Sequence, residues 1–226
     1  MSIAVQLEQI NTRINVAAKA AGRDSSEIKL LAASKYTDSS GIEESILAGQ
    51  MLFGENRAQA LRDKHQAIAM KYPTVDWHFI GHLQKNKIKY ICGRAKLIHT
   101  IDSPELAHAC HDHIHRTEKE PIGVLVQVKL GEEDTKTGCA KDNVMYLCDT
   151  IMSLPNLRLE GLMNIAPLYG EPEQWFTEMA EMAHKGRQNG FPLHTLSMGM
   201  SSDMEVAIAC GATIIRVGSL IYRPQK

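Results

Sequence analysis

Apolar positions along the chain follow two rhythms. The first is helical. Ile3, Leu7, Ile10, Ile14, Ala17 and Ala21 recur every three or four residues, and Gly22 ends the run. Beyond it, short apolar stretches of strand length alternate with longer stretches of helical period. The short stretches predict strands over 28–34, 51–53, 75–80, 97–101, 122–128, 157–162, 194–196 and 213–217. Helices are predicted near 39–48, 56–71, 84–91, 103–117, 140–153, 172–189 and 202–209. Eight strands joined by seven helices predict an α/β fold, a (β/α)8 TIM-type barrel with an extra N-terminal helix. A doubly wound open sheet is the rival arrangement. The chain has 226 residues, somewhat short of the roughly 250 typical of such a barrel. Little follows the eighth strand, so the opening helix is expected to take over part of the last helix's covering role. No linker, repeat or low-complexity tract divides the sequence, which predicts one domain over 1–226.

Composition narrows the function classes. The net charge is −1, so no overall field draws the chain to nucleic acid or membrane. No apolar run is long enough to span a bilayer. The start, Met1-Ser2-Ile3-Ala4, lacks the basic and apolar regions of a signal peptide. Cys92, Cys110, Cys139, Cys148 and Cys210 are odd in number and form no CxxC, which fits reduced thiols and a cytoplasmic location.

In a barrel of this kind the active site lies where strands end. Those positions carry Lys35, then Gly54-Glu55-Asn56, Gly81-His82 and Asp102. Lys129 and the loop 131–138 follow the fifth predicted strand, and Met163-Asn164 the sixth. Ser197-Met198-Gly199-Met200-Ser201 follows the seventh, and Gly218-Ser219 the eighth. Lys35 closes the run Leu30-Leu31-Ala32-Ala33-Ser34, where burial would favour its neutral, nucleophilic form. The natural target of such an amine is an aldehyde such as pyridoxal 5'-phosphate (PLP). The plain alternative is a lysine that reaches into water.

The last two strand ends are rich in glycine and serine, as barrel phosphate sites are. Ser201 or Ser202 is placed to cap a helix beginning near Asp203. Ordinary turns would carry the same residues, and Asp203 and Glu205 would oppose phosphate if they pointed inward. Arg216 sits inside the last strand between apolar neighbours, so it must be paired or face a ligand. A salt bridge to Glu160 or Glu205 is one outcome, and a cofactor ring nitrogen is another.

Together these blocks carry a pattern. Leu31-Ala32-Ala33-Ser34-Lys35, Phe53-Gly54-Glu55-Asn56, the stretch from Trp77 through His82 to Lys87, Gly161-Leu162-Met163, the stretch from Leu196 to Asp203, and Ile215-Arg216-Val217-Gly218-Ser219 resemble the pyridoxal phosphate homeostasis family, the YggS/PROSC group. The resemblance runs from about residue 3 to residue 222. It implies a fold-type III PLP barrel, like the N-terminal domain of alanine racemase, that serves intracellular PLP (vitamin B6) and amino-acid homeostasis. By position, Lys35 resembles the Schiff-base lysine and Asn56 a residue beside the ring, with Met163 packed near it. Ser201, Gly218 and Ser219 resemble phosphate ligands. Arg216 resembles the group facing the pyridine nitrogen, with phosphate as its alternative, and His82 lies in the mouth. Two departures are visible. Tyr36-Thr37-Asp38 stands where threonine and then proline are usual, and Ile221-Tyr222-Arg223-Pro224 lacks the usual glycine.

PLP binding leaves two classes open, a carrier without efficient turnover and an amino-acid racemase or related enzyme. Racemisation needs a base on each face of the substrate carbon. Lys35 can serve one face, but the sequence shows no β-rich second domain to supply a tyrosine for the other. Tyr36 and Tyr222 are the substitutes at hand. An arginine at the ring nitrogen also disfavours its protonation and weakens the electron sink. A non-enzymatic carrier is therefore expected, monomeric, with PLP-dependent apo-enzymes or a regulatory protein as partners. His108, His111 and His115 share a helix face at zinc-like spacing, but a solvated face is the better reading. The same holds for Lys85, Lys87 and Lys89.

Overall fold

A computed structural model gives the architecture and describes residues 2–131, 137–167 and 169–222. Helix α1 (Ile3–Ala20) opens the chain, capped by Ser2, whose hydroxyl accepts from the Val5 N–H. Strands β1 (Lys29–Ala33), β2 (Leu52–Glu55), β3 (Asp76–Phe79) and β4 (Leu97–Ile101) follow, separated by α2 (Ser39–Leu47), α3 (Ala58–Ile68) and the short α4 (Ile88–Ile91). Helix α5 (Pro104–Thr117) leads to β5 (Ile122–Lys129), a two-residue β6 (Cys139–Ala140) and α6 (Val144–Met152). The chain continues through β7 (Leu157–Met163), α7 (Pro172–Gln188), β8 (Thr195–Ser197), α8 (Met204–Ala209), β9 (Ile214–Val217) and α9 (Ser219–Tyr222).

Among the described residues every strand pairing is parallel. The ring runs β1-β2-β3-β4-β5-β7-β8-β9 and closes where β9 pairs with β1, so the sheet is a barrel and not an open doubly wound sheet. All eight predicted strands are present, with no end shifted by more than two residues. The added strand β6 pairs with the end of β5, where the sequence predicts the start of a helix. That helix begins at Val144 instead, after a 3-10 turn over Lys141–Asn143.

Alternation along the strands splits the apolar side chains into two sets. Ala32, Phe53, Trp77, Ile98, Val124, Leu162, Leu196 and Ile215 point outward into the layer shared with the helices. Leu31, Leu97, Leu125, Met163 and Ile214 point inward and form a separate cluster inside the barrel. Helix α1 buries Leu7, Ile10, Ile14, Ala17 and Ala18 and packs against α8, α2 and α9. It fills the place an eighth outer helix would take, which α9, at four residues, is too short to fill. Among the described residues no helix is long and apolar enough to cross a membrane.

Candidate functional site

The carboxyl ends of the strands surround a cavity of about 440 Å³. Of the predicted site residues, Lys35, Asn56, His82, Ser201, Arg216, Gly218 and Ser219 all line it. Met163 does not. It lies 1% exposed in the inward apolar cluster with Leu31, Leu97, Leu125 and Ile214, and Ile165 takes the place in the wall. The strand carries Met163 inward one level below the mouth, and the chain beyond it reaches the wall two residues later.

Lys35 is exposed, against the expectation of a buried lysine. The strand stops at Ala33, and Ser34–Tyr36 form a 3-10 turn that lifts the side chain to the mouth. Its Nζ stands 4.9 Å from the centre of the Tyr36 ring, a cation–π distance. Tyr36, flagged in the sequence as a departure, thus forms part of the wall. The turn is braced from behind. The Ser34 hydroxyl donates to the Gly54 carbonyl at 3.1 Å and to Glu55 Oε2 at 3.0 Å. Lys64 Nζ donates to the Ser34 carbonyl at 2.8 Å and to Glu55 Oε2 at 2.6 Å. Glu55 Oε1 accepts from the Asn56 N–H at 2.8 Å. One buried carboxylate therefore links the turn that carries Lys35 to the backbone of Asn56.

Arg216 lies on β9 and is 7% exposed. Its Nη1 donates to Ser197 Oγ and its Nη2 to the Asn164 carbonyl, each at 2.7 Å. Neither carboxylate expected as a partner reaches it. Glu160 lies 3.8 Å from Arg158, and Glu205 bonds Arg13 at 2.7 Å. Among the described residues no carboxylate stands within ion-pair distance of Arg216. Burial pulls its pKa down to about 10, with Asp203 opposing, so it keeps its charge at neutral pH. A desolvated cation held by neutral partners at a cavity wall favours an anionic or electron-rich ligand.

The loops after β8 and β9 meet at the same wall. Ser201 Oγ and Ser219 Oγ are 3.3 Å apart. A Cβ on Gly218 would stand 2.9 Å from the Ala33 carbonyl oxygen and 3.3 Å from the Tyr36 ring, so a side chain there would displace the wall. The predicted serine cap of α8 is absent. Asp203 holds the cap position, and its carboxylate accepts from the Met200 N–H at 2.6 Å. With Glu205 turned to Arg13, both acids are engaged by other groups.

His82 lines the rim with Nδ1 3.9 Å from Asp102 Oδ2. Burial raises the Asp102 pKa, and His82 offsets part of that. Tyr222 is turned away from the cavity, its hydroxyl 3.1 Å from Ser45 Oγ, and burial pushes its pKa up to about 12. Most of the 131–138 loop and the Arg223-Pro224 ending lie outside the described residues. His111 and His115 stack with ring centres 6.3 Å apart. Among the described residues no group of three or more His, Cys, Asp or Glu is placed to hold a metal. Sequence reading misses Lys64, His78 and His99. A histidine between apolar neighbours in each of two adjacent strands, β3 and β4, is the signal that could have found the last two.

The alanine racemase N-terminal domain family matches residues 5–225. A pyridoxal phosphate homeostasis protein of Aquifex aeolicus is 39% identical, over all of both chains. The Escherichia coli K12 protein of the same name is 39% identical, over 97% of this chain and 95% of that one. The chain belongs to the pyridoxal phosphate homeostasis protein family. Among solved structures, Synechococcus elongatus PipY with PLP bound superposes with a TM-score of 0.84. It is 31% identical, and the match covers 98% of this chain and all of that one. This family's barrel is thus the frame in which the cavity at the strand ends sits.

Proposed function

We propose that this protein binds PLP in the strand-end cavity, with Lys35 as the Schiff-base lysine, and serves PLP homeostasis as a carrier without efficient turnover. The observation that carries the reading is Arg216. Among the described residues it is a buried cation with no carboxylate partner, and the one lysine lining the same cavity is Lys35. The residues fit the cofactor. Lys35 offers an amine at the mouth, and Ser201, Ser219 and the bare backbone of Gly218 offer a cradle for phosphate. When bound, PLP supplies an aldehyde that condenses with a lysine amine, with loss of water, and a ring that can accept electron density. PLP bound to a full-length relative of known structure supports the assignment.

The carrier reading rests on the same arginine. Arg216 stays charged at neutral pH, so a ring nitrogen facing it is held unprotonated and is a weak electron sink. Tyr222, one candidate for a second base, is engaged with Ser45 away from the cavity. Asn56 lines the cavity where it would stand beside the ring, and His82 lines the rim. Recipients of the cofactor are PLP-dependent apo-enzymes or a regulatory protein.

Borohydride reduction of the PLP-loaded protein, followed by peptide mass mapping, tests the assignment. The phosphopyridoxyl group is expected on Lys35. Label found mainly on Lys64, Lys85 or Lys129 would rule it out.

A further inference from the structure

Below the cavity a chain of four polar side chains crosses the inside of the barrel. Arg216 Nη1 donates to Ser197 Oγ at 2.7 Å. Ser197 Oγ lies 2.9 Å from His99 Nδ1, and His99 Nε2 lies 2.9 Å from His78 Nδ1. The four come from β9, β8, β4 and β3, and all are buried. His78 borders a second cavity of about 360 Å³, lined also by Lys29, Gln50 and Asp76.

Counting protons fixes the direction of the chain. A guanidinium only donates, so Ser197 Oγ accepts from Arg216. The hydroxyl proton of Ser197 then has His99 Nδ1 as its acceptor. If Nδ1 carried the proton instead, the buried hydroxyl hydrogen would lack a partner, a costly arrangement. His99 is therefore protonated on Nε2 and donates to His78 Nδ1. His78 in turn carries its proton on Nε2.

Both rings are neutral. Burial holds His78 down to about 4, with Asp76 opposing and Lys29 and Lys96 assisting. Burial also holds His99 well below its ordinary value, with His78 and Arg216 adding to the effect.

We propose that His99 is a positioning residue for the cofactor, acting through Ser197 to fix the direction of the Arg216 guanidinium at the cavity wall. The inference rests on the PLP reading of the cavity. With no acceptor at position 99, the Ser197 proton turns elsewhere and Nη1 loses its fixed partner. Nη2 remains on the Asn164 carbonyl. A guanidinium held at one nitrogen pivots, and its alignment with the bound ring is lost.

Two measurements test the proposal. Imidazole nitrogen NMR of the protein without cofactor reads the tautomers directly. Protons are expected on Nε2 of both His78 and His99, with His99 released from that constraint in Ser197→Ala. A wild-type His99 protonated on Nδ1 would overturn the chain. PLP titration followed by absorption spectroscopy then compares His99→Leu with His99→Gln. Glutamine keeps an acceptor and a donor, whereas leucine keeps neither.

His99→Leu is expected to bind PLP roughly tenfold more weakly and to shift the bound cofactor's absorption band, and His99→Gln to restore both. If His99→Leu does not fold, Ser197→Ala takes its place with the same expected shift. Wild-type affinity and spectrum in the leucine and alanine variants would sink the positioning role. Failure of the wild type to bind PLP would overturn the cofactor reading and with it the role of His99, even where NMR upholds the tautomers.

Discussion

Lys64 reaches Glu55 from helix α3 with Nζ 2.6 Å from Oε2, and the pair stands outside the cavity it braces. Glu55 is 1% exposed and Lys64 14%. Both partners are desolvated, so removing one leaves the other charged without compensation, at a cost of about 3–5 kcal/mol. Lys64→Met is therefore expected to lower unfolding stability by roughly that amount. Combining it with Glu55→Gln should recover most of the loss, because no buried charge remains. Urea denaturation of the two variants measures this. Equal losses in both would show that the pair acts by packing instead.

Gly218 tests the phosphate cradle. Any Cβ there meets the Ala33 carbonyl oxygen at 2.9 Å and the Ala33 Cβ at 3.1 Å. Gly218→Val should keep the fold, as read by circular dichroism, and weaken PLP by more than tenfold. Pyridoxal lacks the phosphate but shares the displaced wall, so its already weak binding should fall by a smaller factor than that of PLP. A variant that loses PLP and pyridoxal affinity equally would move the phosphate elsewhere in the cavity.

The buried histidines add to the response to acid. Both have folded pKa values below the ordinary 6.5, His78 at about 4. Between pH 6.5 and about 4 the unfolded chain binds protons that the folded chain refuses. Stability therefore falls as pH drops through that window, by up to about 1.4 kcal/mol per pH unit for each ring. Urea unfolding at pH 7 and pH 5 should show the loss. His99→Gln should flatten the slope. An unchanged slope would place the acid sensitivity on other groups.

Amino acids provide the test of turnover. PLP-loaded protein incubated with L-alanine in D₂O should keep the Cα proton in place, followed by NMR. Sustained deuterium incorporation that Lys35→Ala abolishes would make the protein an enzyme. Transfer of PLP to an apo-enzyme without such exchange is the outcome expected of a carrier.

The parts of this molecule legible in the sequence are those with a local signature. Apolar runs such as Leu30 to Ala33 mark strands because a barrel buries both faces of them. Lys35, Gly218 and Arg216 stand out because each interrupts or ends such a run. Side chains that meet across the barrel leave no such mark. Lys64 looks like any charged residue on an amphipathic helix until β2 brings Glu55 behind it. His99 and Ser197 are 98 residues apart in sequence and share a hydrogen bond only because the ring closes. Ser201 and Ser202 look like caps, yet Asp203 takes the cap position, since the loop turns one residue later than the pattern implies.

Closure of the ring also sets when the protein becomes competent. Leu31 and Ala32 on β1 lie opposite Arg216 and Val217 on β9, so the first strand made waits for the last. About 180 residues separate Lys35 from Arg216, which is roughly ten to forty seconds of ribosomal synthesis. Throughout that interval the nascent chain presents the Lys35 amine but neither the cation nor the glycine cradle. The same holds for any fragment lacking β9. On the proposed reading of the cavity, retention of the cofactor therefore requires the closed ring.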